Sequence, residues 1–198
     1  MKRDRNVTSR NGHCGGWRLM IIFGALFLAV SGGAAAQFTG PSPMFDLARA
    51  GDVGGIEYLL KKGYNIDSTS SGGETVLIAG ATGGHVAVVE LALAEGARVN
   101  RQDEFGRSAL SRSAEGGHFA VVERLLENKA DINAQTREGL TPLMLAVKGR
   151  HIAVVQLLLR YRPDLEMPDY TGRTALGWAR ESRDRRIATM LRRAGARD

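Results

Sequence analysis

The stretch Thr141-Pro142-Leu143-Met144-Leu145-Ala146, followed by Arg150-His151-Ile152-Ala153-Val154-Val155-Gln156-Leu157-Leu158-Leu159, recurs along the chain at a fixed interval. Thirty-three residues before His151 stands His118, in Gly117-His118-Phe119-Ala120-Val121-Val122, and another 33 back stands His85, in Gly84-His85-Val86-Ala87-Val88-Val89. The residue that opens each block keeps the same interval, as Thr75, Ser108, Thr141 and Thr174. Both halves of the unit therefore repeat together.

Thr141 is a strong helix N-cap, and Pro142 occupies a first helical position that needs no N–H donor. A short helix is predicted from there to about Gly149, and a second from about His151. In the second, Val154, Val155, Leu158 and Leu159 fall at offsets of one, four and five and share one apolar face. Helices this short cannot cover that face within one pair, so stacking of successive pairs must close the core. Extending the frame outward reaches a degenerate first unit, with Ser42-Pro43-Met44, Ile56, Leu59 and Leu60, and a degenerate last one, with Thr174-Ala175-Leu176, Asp184, Ile187 and Leu191. Departures confined to the two ends suit units that face water on one side.

Period and motif together resemble the ankyrin repeat. The resemblance implies an all-α solenoid of about five helix-turn-helix units with hairpin-like loops, over residues 42–198, the units being about 42–66, 67–99, 100–132, 133–165 and 166–198. It also implies that His85, His118 and His151 begin second helices and hydrogen-bond nearby backbone, and that Asn100 and Asn133 bond loop backbone where the fourth unit has Glu166. Gly73, Gly106, Gly139 and Gly172 precede each opening Thr or Ser by two residues, as a tight turn with positive φ requires. After the second helices, Gly63, Gly96 and Gly195 suit a left-handed cap, whereas Lys129 and Arg162 do not. Pro163 further disfavours a helical Arg162. The exit from the fourth unit is therefore the expected weak point.

The first 36 residues stand outside this pattern. Lys2, Arg3, Arg5, Arg10 and Arg18 against Asp4 make a positive leader, Leu19 to Val30 is apolar with one glycine, and Ser31 to Ala36 supplies small residues ending in Ala-Ala-Ala. That order predicts a secretory signal peptide cleaved between Ala36 and Gln37, with 37–41 as a short linker. The alternative is an uncleaved inner-membrane anchor, but a helix over this run spans about 18 Å against a hydrocarbon core of about 30 Å. Export, with a bacterial periplasm favoured, is the expectation. The leader also carries Cys14, the only cysteine, so the remainder suits an oxidising compartment by having no thiol to oxidise. The net charge of +6 falls to 22 basic against 20 acidic residues once the leader is set aside.

Site chemistry is sparse. Equivalent positions in a stack sit about 10 Å apart, so the three histidines cannot share an ion held by bonds of about 2 Å. Ser108, Ser111 and Ser113 have no orienting carboxylate at a diagnostic spacing, and Ser71-Gly72-Gly73 lacks the strand and the Lys-Ser or Lys-Thr of a phosphate loop. Neither catalysis nor a cofactor is predicted. A binding surface remains. In ankyrin proteins the hairpin tips and the exposed side of the first helices form a concave partner-binding face. Carried over, those positions are Glu104, Phe105 and Arg107, then Arg137, Glu138 and Leu140, then Tyr170 and Arg173, with Arg112, Lys148 and Trp178 on the helices. Exposed aromatics flanked by arginines are the composition of an interface anchor, so Phe105 and Tyr170 lead the set. The expected partner is a protein of the cell envelope, bound by a monomer. The arginines from Arg173 to Arg197 suggest either a polar end cap or contact with anionic lipid headgroups, and nucleic acid is disfavoured for want of interleaved aromatics.

Overall fold

The computed structural model describes residues 43–197; the predicted signal peptide, the linker, Ser42 and Asp198 lie outside the described residues. Ten α-helices make up the described regular structure, in five pairs: α1 (Met44–Ala50) with α2 (Val53–Lys61), α3 (Val76–Gly83) with α4 (Val86–Ala94), α5 (Ala109–Gly116) with α6 (Phe119–Glu127), α7 (Pro142–Lys148) with α8 (Ile152–Arg160), and α9 (Ala175–Glu181) with α10 (Arg185–Arg193).

Each first helix after α1 starts on the predicted cap: the hydroxyls of Thr75, Ser108, Thr141 and Thr174 accept from the backbone N–H three residues on. The second helices start differently. Asp52 and Asp184 cap α2 and α10 with their carboxylates, but the histidines before α4, α6 and α8 cap nothing. Their rings reach back a whole unit instead. His85 Nε2 lies 2.8 Å from the Arg49 carbonyl, His118 Nε2 3.1 Å from that of Thr82, and His151 Nε2 2.9 Å from that of Glu115. These bonds join unit to unit.

The same contact dictates a glycine. Gly51, Gly84 and Gly117 end the first helices with φ between 72° and 76°. A Cβ there would also meet the imidazole Nδ1 of the next unit at 2.8, 2.5 and 2.4 Å respectively. At the fourth equivalent, Arg150 keeps the left-handed backbone, at φ 58°, yet carries a full side chain. The reason lies 34 residues on, where the fifth unit has Asp184 and no imidazole to collide with. In place of a histidine, the Arg150 guanidinium donates to the Ser182 carbonyl and links the last two units.

The core is a column repeated at the same interval. Leu77, Leu110, Leu143 and Leu176 are all within 1% of full burial, as are Val89, Val122 and Val155 in the second helices. Each such side chain contributes about 1.5–3 kcal/mol when removed from water. Small residues on the first helices, among them Ala81 and Ala114, let α1, α3, α5, α7 and α9 pack intimately, while the second helices meet more loosely.

Two expectations about the loops are refined. Lys129 and Arg162 adopt the left-handed conformation at φ 62° and 53°, so the turn geometry survives without glycine, at a backbone cost of about 1–2 kcal/mol each. Just beyond, Tyr64, Ala97, Ala130 and Ala196 donate to the carbonyl five residues back. Pro163 stands at the same offset and has no N–H to give, so the fourth exit is one hydrogen bond short. By contrast, Glu166 does not weaken its loop. Asp67, Asn100, Asn133 and Glu166 each accept from the backbone N–H of the residue 31 positions on, and the Glu166 bond to Arg197 N, at 3.0 Å, matches the others.

Gly117→Ala is expected to cost about 2 kcal/mol or more in urea unfolding followed by circular dichroism, combining left-handed strain with the clash against His151. Gly117→Ala with His151→Ala should cost clearly less than the two single losses added. Additive losses would show that the imidazole does not set the glycine.

Concave face as the candidate interaction site

Between successive pairs the chain turns through a finger closed by paired backbone bonds, Ser70 N to Glu74 O, Asp103 N to Arg107 O, Thr136 N to Leu140 O and Asp169 N to Arg173 O. The fingers also bond to each other, through Glu104 N to Gly72 O, Arg137 N to Phe105 O and Tyr170 N to Glu138 O. Gly73, Gly106, Gly139 and Gly172 take φ values of 71–81°, as the turn demands. For Gly106 and Gly139 a Cβ would come within 2.8 Å of the next finger's backbone, so glycine also permits the stacking.

A polar side chain organises every finger from within. Asp103 Oδ1 accepts from Phe105 N and Arg107 N at 2.8 Å, Thr136 Oγ1 accepts from Glu138 N and Leu140 N, and Asp169 Oδ1 accepts from Thr171 N and Arg173 N. These residues escaped the sequence reading, although their place three residues before each turn glycine was a usable signal. Asp169 is the most engaged. It is 4% exposed, takes the Thr171 hydroxyl on Oδ1, and receives the Trp178 indole N–H on Oδ2 at 3.0 Å. Burial pushes its carboxyl pKa up, but the hydrogen bonds from Thr171, Arg173 and Trp178 outweigh that and hold it below the ordinary value of 3.8.

The face formed by fingers and first helices carries two adjoining recesses. One, of about 360 Å³, lies among Phe45, Arg49, Glu74, Arg107 and Arg112; the other, of about 210 Å³, lies among Arg137, Glu138, Leu145 and Lys148. Phe105 and Arg107 border both. Helices and fingers together match a known pattern: the sequence profile of ankyrin repeats (3 copies) fits residues 44–136 and 130–197. The chain belongs to the ankyrin-repeat family. No curated protein matches it significantly.

Not every position carried over from the ankyrin pattern is open to a partner. Leu140 is a correction: it is 4% exposed and packs into the core at the offset where Arg107 and Arg173 reach outward. An apolar side chain there has no ion pair or aromatic ring to hold it outside, so it turns in. Arg112 is largely covered as well. Its side chain is 23% exposed, Nη1 meets Glu115 at 3.3 Å, and its buried Nε–H has no acceptor among the described residues. Arg107 is pinned to Asp103 at 2.9 Å and lies over the Phe105 ring, 4.4 Å from its centre. Trp178 is half-buried between cations: Lys148 Nζ is 5.1 Å and Arg173 Cζ 4.5 Å from its ring centre, and Arg173 also pairs with Glu181.

What stands free is narrower. Phe105 is 51% and Tyr170 75% exposed. Glu104, Arg137 and Glu138 are exposed at finger tips, and the side chains of Arg137 and Glu138 make no ion pair or hydrogen bond among the described residues. The histidines are spent on inter-unit bonds, and the Ser111 and Ser113 hydroxyls donate to the Ser108 and Leu110 carbonyls. Among the described residues no group of three His, Cys, Asp or Glu is placed to hold a metal ion.

The depressed Asp169 carboxyl adds stability that is complete above its unfolded value near 3.8 and is lost as pH falls through the lower folded value. In a Trp17→Phe background, where Trp178 is the sole indole, acid titration should show a fluorescence change below the usual carboxylate range. Asp169→Asn should remove that transition and lower stability at neutral pH by about 1–3 kcal/mol. An unchanged acid transition in the variant would assign it elsewhere.

Proposed function

We propose that this ankyrin stack is a non-catalytic adaptor that holds a protein partner along its concave face in the periplasm or cell envelope. Ankyrin repeats are protein–protein interaction modules, and the observation that carries the finer reading is that two exposed aromatics and two unpaired opposite charges gather on neighbouring fingers of one face. Phe105 and Tyr170 project from fingers whose backbones are bonded to one another, so two aromatic anchors are held rigidly and lose little entropy on binding. Arg137 and Glu138 stand between them with unspent charge, and Lys148 presents its ammonium from α7. An extended segment carrying both signs of charge and an apolar side chain on either side of the Phe105 ridge fits that arrangement. Export rests on the positive leader, the apolar run Leu19 to Val30 and the small residues before Gln37.

Photo-crosslinking residues placed singly at Phe105 and Tyr170 should capture one and the same envelope protein, while Tyr58 and Tyr161 on the second-helix side should not. The triple change Phe105→Ala, Arg137→Ala and Tyr170→Ala should weaken that complex by about a hundredfold or more, since anchor residues contribute about 2 kcal/mol each. Equal capture from both sides, or binding indifferent to the triple change, overturns the concave-face reading. Intact-mass measurement of the chain recovered from a periplasmic fraction should show a start at Gln37. A start at Met1 in the membrane fraction would establish the tethered form instead.

A further inference from the structure

The two ends of the stack are finished in different ways. From Met44 to Lys62 the first unit carries Asp46, Asp52 and Glu57 against Arg49, Lys61 and Lys62, a balanced set. From Arg183 to Arg197 the last unit carries six arginines and one acid, Asp184, which is occupied in capping α10. The chain from Gln37 to Ser182 has 16 basic and 18 acidic residues, so the positive excess of the stack sits at one end.

Its placement follows the repeat. Ala114 and Val147 in the first helices, Leu126 and Leu159 in the second, and Phe119 and Ile152 at the second-helix starts form columns along the stack. In the fifth unit those columns end in Arg180, Arg192 and Arg185. With Arg183 they wall a recess of about 510 Å³ floored by Ala179, Ala188 and Thr189. In the fifth unit these apolar positions have been rewritten in arginine. Arg183, Arg185, Arg186 and Arg193 make no side-chain ion pair or hydrogen bond among the described residues. Solubility of an end unit needs polarity, not one sign, as the first unit demonstrates.

We infer that this end face docks on an anionic phospholipid surface. Guanidinium forks match phosphate oxygens, and a cluster of four to eight basic residues is the composition of a headgroup-binding patch. A second copy of the chain does not fit: face to face the arginines repel, and the balanced first unit offers no complementary charge. Nucleic acid shares the phosphate chemistry, but the recess has no aromatic side chain on which a base could stack. Docking end-on uses none of Phe105, Arg137 or Tyr170, so the concave face stays available to a protein partner. The two roles are independent.

The test is co-sedimentation of the full chain with vesicles of phosphatidylcholine alone or mixed with phosphatidylglycerol, at low and high salt. Binding to the anionic vesicles should exceed binding to neutral ones and collapse at molar salt, where the Debye length shrinks to about 3 Å. Arg183→Glu with Arg185→Glu and Arg186→Glu should lower the affinity by about a hundredfold or more, at about 1 kcal/mol for each basic residue lost. Lys61→Glu with Lys62→Glu, at the other end, should leave it within about threefold, and any contribution of the leader is common to both variants. Glutamates in the first turn of α10 favour its helix dipole; should that triple variant still lose its circular dichroism signal, the glutamine triple gives the same reading. Vesicle binding unaltered by the Arg changes overturns the proposal. So does preference for duplex DNA over anionic vesicles at equal phosphate concentration.

Discussion

Everything in this molecule depends on one geometric constraint: a pair of helices seven to nine residues long cannot close a core by itself. Each pair must complete its neighbour, so the contacts that matter most run between units. Three kinds recur with the repeat. Leucine and valine columns remove apolar surface from water, a histidine ring reaches the carbonyl of the unit before it, and a loop carboxamide or carboxylate takes the backbone N–H of the unit after it. The glycines at 51, 84 and 117 are consequences of the second contact, and Arg150 shows what becomes possible where it is missing.

That constraint also explains why the face is rigid. The fingers bond to one another as well as to themselves, and Ser70, Asp103, Thr136 and Asp169 fill each turn with an acceptor. Side chains mounted there are presented by a continuous backbone ladder. Much of the charge on the face is then consumed locally: Arg49 with Glu74, Arg107 with Asp103, Arg173 with Glu181 and the Trp178 ring. Such pairs contribute modestly to stability when exposed, but they remove those groups from the set that meets a partner unspent. Glu104, Phe105, Arg137, Glu138 and Tyr170 are left.

The outermost described units obey the constraint in reverse, because among the described residues each has one neighbouring unit instead of two. Asp52 and Asp184 stand where the middle units have histidine, and each becomes a helix cap, accepting from the first-turn N–H groups of α2 and α10. At the last unit the columns through Ala114, Phe119 and Leu126 stop in Arg180, Arg185 and Arg192, while the leucine column runs on to buried Leu176.

Fold, period, caps and turn glycines were legible in the amino-acid order because each is a local requirement repeated at one interval, and repetition separates it from noise. Pro163 marked the fourth exit through the helical conformation it denies Arg162, but the hydrogen bond it withholds became visible only beside its equivalents Tyr64, Ala97, Ala130 and Ala196. Whether a given face residue is free was not legible, and Glu74, Arg107, Leu140 and Arg173 show why. They share one offset and one backbone position, yet Glu74 is buried against Arg49, Arg107 is held by Asp103, Leu140 is in the core and Arg173 lies on Trp178. Availability is set by the side chains packed around each position, including one 25 residues away in the case of Arg49 and Glu74. Those neighbours vary independently of the repeat, so only the tertiary arrangement decides which members of the pattern reach a partner.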